Sequence, residues 1–180
     1  DARLIREHGN IPFEGNYKIT LHDCQFGHEM LAHPIQRVNG VVKVSRGDFT
    51  IDNVVGSIEH GTVMVNGKYN KQQNGQLQLT CNGRNIHVSQ SVCQKLKYPA
   101  VTKILDRINP SGHFDFDAVI DRESSEREFT YVARLRPKSL ILMPDVLVDQ
   151  PISLLGGELT YDNRAFTLSK LTVQFDESEL

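Results

Sequence analysis

The stretch "NGVVKVSRGDFTID", residues 39–52, decides the fold. Val42 and Val44 alternate with other residues, Phe49 and Ile51 do the same, and Ser45, Arg46, Gly47 and Asp48 lie between the two runs. A period of two sends every second side chain to one face of a strand, and a short connection containing Gly folds two such runs back on each other. The segment therefore predicts a β-hairpin with one apolar and one wet face. Little in the surrounding sequence looks able to cover the apolar one.

The same alternation recurs along most of the chain. Tyr17, Ile19 and Leu21 form one apolar set, Val63 and Val65 a second, and Leu77 and Leu79 a third. Phe114 and Phe116 follow against Asp115 and Asp117; then come Phe129, Tyr131 and Leu135, and Leu159 with Tyr161. Asn39-Gly40, Arg46-Gly47, Asn66-Gly67, Asn74-Gly75, Asn82-Gly83 and Asp162-Asn163 have the composition of tight hairpin turns. Short turns join antiparallel neighbours, whereas a parallel sheet needs long crossovers, so the sequence predicts a meander of roughly a dozen strands.

Residues 89–112 break the period. Val101, Ile104, Leu105 and Ile108 recur at helical spacing behind Pro99, which suits a first helical position, so a helix is predicted from about Pro99 to Ile108. Val92 and Leu96, four apart, predict a shorter helical turn before it. Asn109-Pro110-Ser111-Gly112 ends the segment.

The 180 residues suffice for one ordinary domain or two small units sharing a core. A net charge of −2, mixed along the chain, lacks the basic stripe of a nucleic-acid binder. Cys24, Cys81 and Cys93 form neither a disulfide framework nor a C-x-x-C motif; three buried thiols is the plain expectation, and one bridge plus a free thiol stays open. No apolar run reaches the ~20 residues of a membrane-spanning helix. The first residues lack a secretory signal, and the chain starts without Met, which reads as an excised piece of something longer.

Chemistry-bearing residues give little. His22, Asp23, Cys24, His28 and His33 are ligand types without a zinc spacing, and on a regular strand His22 and Cys24 would share a face. Asp115 and Asp117 fall opposite the phenylalanines, where solvation explains them, and no cleft-forming feature makes them a glycosidase pair. No nucleophile elbow, phosphate loop or dinucleotide fingerprint occurs, so neither catalysis, a metal nor a cofactor is expected. Arg134 and Arg136 can touch lipid headgroups or simply face water.

The chain also resembles itself. The stretch from Pro34 lies over the stretch from Pro151 without a gap, at a constant offset of 117, with Ile35 on Ile152, Gly40 on Gly157, Phe49 on Phe166 and Thr50 on Thr167. Apolar positions keep step too: Val42 with Leu159, Val44 with Tyr161, Ile51 with Leu168 and Val54 with Leu171. The Pro-Ile start followed by "VNGVVKVSRGDFTIDNVVGSI" or "LLGGELTYDNRAFTLSKLTV" resembles the repeated β-unit of the AsmA-like superfamily of bacterial envelope proteins, TamB-type proteins included. "LKYPAVTKILDRINPSGHFDFDAVI" is similar to a linker of that group, and the likeness spans about residues 15–178.

The resemblance implies a mainly β fold: a curved antiparallel β-sheet, or β-groove, made of two repeats joined by a short helical segment. Residues 1–88 would be the first unit, 89–112 the helical linker and 113–180 the second, all in one continuous sheet. It further implies a non-enzymatic, periplasmic segment of an inner-membrane-anchored protein, with anchoring supplied by other parts of the polypeptide. Its partners would be phospholipid acyl chains and neighbouring β repeats, its role lipid transport or outer-membrane biogenesis. The inward residues would be Val42, Val44, Phe49, Ile51, Val63, Val65, Leu77, Leu79, Phe114, Phe116, Phe129, Tyr131, Leu159, Tyr161, Phe166 and Leu168.

Two covers for the apolar face stay open. Either the halves close on each other as a sandwich or collapsed barrel, which makes the chain a self-filled structural or protein-interaction module, or the sheet stays open and a hydrocarbon guest covers it.

Overall fold

The computed structural model describes residues 15–28, 31–95, 99–144, 150–162 and 165–175, without the side chains of residues 99–101 and 104. Nine strands form one sheet: β1 (Asn16–Phe26), β2 (Ile35–Ser45), β3 (Asp48–Ile58), β4 (Gly61–Asn70), β5 (Gln76–Val88), β6 (Ser111–Arg122), β7 (Thr130–Leu142), β8 (Ile152–Asp162) and β9 (Ala165–Phe175). Their spatial order equals their sequence order and every neighbouring pair is antiparallel, so the predicted meander is what forms, with nine strands among the described residues against the dozen expected of the whole chain.

Each strand makes substantial contact only with its sequence neighbours, so the sheet is open and no second layer lies over it among the described residues. Among the described residues only Val38, Cys93, Pro110 and four glycines are buried. The chain exposes 13241 Å², against about 8,800 Å² for a compact protein of this mass. The halves do not close into a sandwich. What holds the molecule together is cross-strand pairing, backbone and side chain, rather than an enclosed core.

Two helices interrupt the meander between β5 and β6: α1 (Gln90–Cys93) and α2 (Pro99–Ile108). The latter has the predicted bounds, while Leu96 and the side chains of Val101 and Ile104 lie outside the described residues. Asn109, at φ 38°, closes α2 by donating its N–H to the Leu105 carbonyl at 2.8 Å, a left-handed cap. The Ile108 carbonyl accepts the Met143 N–H at 2.9 Å, which pins the end of α2 to the end of β7. The sheet is continuous across this excursion, since β5 and β6 pair from Leu77↔Arg122 to Val88↔Gly112.

Three of the predicted turns are strand interiors. Asn39-Gly40 lies in β2, Asn66-Gly67 in β4 and Asn82-Gly83 in β5, whereas Arg46-Gly47 and Asn74-Gly75 do turn the chain. Of Asp162-Asn163, Asp162 ends β8 and Asn163 lies outside the described residues. Asn39 and Asn66 of these pairs serve β-bulges, whereas Asn82 donates to Asp117 Oδ1 at 2.6 Å. Asp23, Asn53 and Asn85 each sit at φ near 50° where the register of β1, β3 and β5 slips. A bulge leaves a backbone donor off the ladder. Here each is taken by a side chain of the next strand: Asp23 N–H by Asn39 Oδ1 at 3.1 Å, Asn53 N–H by Asn66 Oδ1 at 2.8 Å, and Asn85 N–H by Asp115 Oδ1 at 2.8 Å. The adjoining glycines clear the apolar face, where a Cβ at Gly67 would collide with Leu79 and one at Gly83 with Phe116.

Candidate functional site

The apolar side of the sheet is the candidate site, and cross-strand pairing builds it rung by rung. Tyr17, Val44, Phe49, Tyr69 and Leu77 make one rung; Ile19, Val42, Ile51, Gly67, Leu79, Ile120 and Tyr131 the next. Val54, Val65, Cys81, Ala118, Ala133, Tyr161 and Phe166 form a third, and Gly56, Val63, Gly83, Phe116, Leu135, Leu159 and Leu168 a fourth. Ile86, Phe114 and Pro137 follow, then Val88, Gly112, Leu140, Leu154 and Val173.

Every residue predicted to face inward is therefore on one surface except Phe129. That ring lies in the loop before β7, 48% exposed, with the Arg122 guanidinium 4.6 Å from its centroid. Arg122 takes the place that alternation reserves for an apolar residue, and so puts a cation on the rim of the face. Its Nη2 donates to the Gly75 carbonyl at 3.2 Å.

Sequence reasoning missed Tyr69, Ile120, Leu140, Leu142, Leu154, Val173 and Phe175, all on this face by register. Their signal was the same alternation. It is obscured in β7 and β8 by register slips at His113/Phe114 and between Leu154 and Glu158.

Nine strands about 4.8 Å apart and 10 to 13 residues long make the face about 38 Å wide and, at the eleven residues of β2, about 36 Å high. That exceeds the few-hundred-Å² apolar patch of an ordinary monomer. Rings pack side by side along it: Phe49 stacks on Tyr69 at 5.1 Å, Phe114 meets Phe116 at 6.3 Å, and Tyr161 lies 5.6 Å from Tyr131 and 4.4 Å from Phe166. Coverage fades towards the last strand, where Phe166 is 65% and Leu168 63% exposed. Cys81 lies within the face, and burial pushes its thiol up.

The opposite side is mostly polar and cross-linked, with Val55, Val119 and Ile141 exposed on it. Asp117 on β6 accepts from Arg84 on β5 at 2.9 Å and from Asn82 at 2.6 Å, and pairs with Arg136 on β7, which reaches Glu158 on β8 at 3.3 Å. The Arg136 hydrogen bond, outweighing partial burial and helped by Asn82 and Arg84, holds the Asp117 carboxyl down at about 2. At Asp115 burial pulls upward, but the Asn85 N–H and Lys138 ammonium, 3.3 Å away, prevail and keep it low. The two aspartates thus share the polar face as predicted, as structural anions in ion pairs rather than merely solvated groups. Arg136 is likewise committed, whereas Arg134 is exposed. A depression of about 510 Å³, lined by Lys43, Asp52 and Lys68 among others, opens on this side. A second of about 920 Å³ sits at the end of β4–β7.

The histidine-rich stretch disperses. The bulge at Asp23 puts Cys24 opposite Val38, on the apolar side with Leu21, so His22 and Cys24 do not share a face. His33 Nε2 and His87 Nδ1 instead hold the two oxygens of Glu59 at 3.1 and 3.0 Å, with the His113 ring 5.1 Å from His87. No group of three metal-ligating side chains able to hold an ion occurs among the described residues. The three thiols are free; Cys93 is buried, while Cys24 and Cys81 are half-exposed, so the expectation of three buried thiols fails because an open sheet has no interior for them. No helix among the described residues is long and apolar enough to cross a membrane. No family model, no curated protein and no solved structure matches this chain.

Proposed function

We propose that the chain is a non-enzymatic segment of a bacterial envelope protein of the AsmA-like kind. Its apolar face would take phospholipid acyl chains in lipid transport or outer-membrane biogenesis, in a periplasmic setting, with anchoring through other parts of the polypeptide. The observation that carries the reading is the apolar side of a nine-stranded sheet over which no second layer of described residues packs. Such a surface recruits either hydrocarbon or another protein.

Hydrocarbon suits it on energetic grounds. At about 0.8 kcal/mol per methylene, a sixteen-carbon chain laid on the face gains on the order of 12 kcal/mol gross. A bilayer offers the same chain a similar environment, so the net preference is small and sliding along the rungs is cheap. In this reading the sheet curls into a groove, and the chain divides into repeats at residues 1–88 and 113–180 about the helical segment 89–112. The likeness of β2–β3 to β8–β9, whose bounds agree at an offset of 117, supports that division.

Native mass spectrometry of the purified, undelipidated protein tests the proposal. Stoichiometric phospholipid is expected, lost in Phe166→Asn, which stays folded because Phe166 is mostly exposed. Absence of phospholipid together with no uptake of a fluorescent fatty acid sinks it. The second reading, a structural or protein-interaction module, is favoured by the outer edge of β9, which no described strand pairs, eleven residues long and apolar at Phe166, Leu168, Val173 and Phe175.

A further inference from the structure

The left-handed bulges of the odd-numbered strands follow a rule that β9 leaves incomplete, while Arg37, at φ 50° on β2, lies outside it. Asp23, Asn53 and Asn85, each in left-handed conformation on an odd-numbered strand, pass their N–H to an Asn or Asp side chain of the strand that follows. Lys170 on β9 has the same conformation, φ 50° against 46° at Asn53.

Its surroundings match those of Asn53. The pairs Asn39↔Val55 and Val41↔Asp52 on β2–β3 reappear as Gly156↔Thr172 and Glu158↔Ser169 on β8–β9, all shifted by 117. A Cβ at Gly40 would lie 2.7 Å from the Val54 Cα and 2.8 Å from the Asn53 carbonyl oxygen; one at Gly157 would lie 2.7 Å from the Leu171 Cα and 2.9 Å from the Lys170 carbonyl oxygen. The Asn53 N–H points away from β2, to Asn66 on β4. By this equivalence the Lys170 N–H points away from β8, to an edge that no described strand occupies.

We infer that the outer edge of β9 receives a further antiparallel strand from outside the described residues, one with β4's pattern: apolar residues alternating with polar ones, and an Asn or Asp opposite Lys170. The argument is continuity with an interface already in the molecule. β4 covers β3 by backbone pairing, by Val65 against Val54, and by Asn66 at the bulge. Lys170 is also the only charged residue of β9, so an Asp at that place adds charge complementarity. A second copy offering β1 would bring a strand whose own bulge, at Asp23, is of the donating kind. The inference extends the interaction-module reading and stands apart from acyl-chain binding.

The test is a labelled peptide with the sequence of residues 61–70, GTVMVNGKYN, titrated with the whole 180-residue chain. Saturable binding is expected, with slowed hydrogen exchange at the Lys170 amide in the ¹⁵N-labelled protein. The peptide carrying Asn66→Ala should bind about fivefold more weakly, and that carrying Asn66→Asp no more weakly. Lys170→Gly in the protein keeps the left-handed backbone and should keep the binding. No saturable binding, equal affinity of the Asn66→Ala peptide, or protection along β1 instead overturns the inference. So does peptide exclusion by self-association in sedimentation, which assigns the edge to a second copy. Binding that appears only with Lys170→Asn overturns it as well, since the lysine then guards the edge.

Discussion

The hairpins β2–β3 and β8–β9 have the same bounds at an offset of 117, the same positive-φ glycine and the same left-handed bulge, yet they differ in how much of them is hidden. Phe49 is half-buried against Tyr69 of the next strand, while its counterpart Phe166 is 65% exposed, with the Tyr161 ring 4.4 Å away. Backbone form is thus a property of the hairpin, and burial a property of its neighbours. In an open sheet each apolar side chain is covered from the flanking strands, so a hairpin at the margin keeps its shape and loses half its cover.

The largest effect is expected at the shared glycine. Gly40→Ala puts a methyl group 2.7 Å from the Val54 Cα at a φ of +147°, and should cost about 3 kcal/mol in urea unfolding. Gly157→Ala meets the Leu171 Cα at the same distance, but no described strand flanks β9 on its outer side, so the strand can yield and about half that loss is expected. Equal losses would mean that the margin is as rigid as the interior.

The aromatic pair comes next. Phe49→Ala removes a ring stacked between strands and should destabilise by about 2 kcal/mol, whereas Phe166→Ala should cost about 0.5 to 1 kcal/mol. Added phospholipid sharpens the contrast: if acyl chains cover the margin, the Phe166→Ala loss grows in its presence and the Phe49→Ala loss does not.

The bulge gives the third. Asn66→Ala strips the Asn53 N–H of its acceptor and should cost about 1 to 1.5 kcal/mol. Lys170→Gly, at the equivalent bulge, should be neutral or stabilising by up to about 1 kcal/mol, because a long side chain leaves the left-handed region. A destabilised Lys170→Gly would show that the lysine side chain itself holds β9.

These bulges mark the limit of what was readable in the residues. Alternation located the strands and the apolar side because period two is written directly in side-chain type, as in Val42/Val44 and Phe114/Phe116. The helix from Pro99 to Ile108 was legible for the same reason. Asn-Gly pairs were misread because the composition that permits a hairpin turn also serves a bulge, where Asn39 or Asn66 supplies an acceptor and glycine supplies clearance. The difference lies in the pairing partner many residues away, which local sequence does not encode. The ladder from Arg84 to Glu158 was hidden likewise: Asp115 and Asp117 were correctly put on the polar face, but their partners on β5, β7 and β8 emerge only from the register.

That ladder supplies the smallest of the expected differences between the hairpins. Glu158 ties β8 to the middle of the sheet through Arg136 and Asp117, whereas on the polar face of β2–β3 Lys43 and Asp52 meet at 3.7 Å with both side chains about half exposed. Asp117 is held at about 2 against an ordinary 3.8, chiefly by Arg136. A carboxyl depressed by folding contributes stability that is complete above its unfolded value and disappears as pH falls through its folded one. Between pH 4 and pH 2 the protein should therefore lose on the order of 1 kcal/mol through Asp117, given screening of these partly exposed groups. Amide protection factors in β8–β9 should fall more steeply over that interval than those in β2–β3. Asp117→Asn should abolish the difference while lowering stability at pH 7, and a pH dependence that survives that substitution would assign it to other carboxylates, with Asp115 beside Lys138 the next to be replaced.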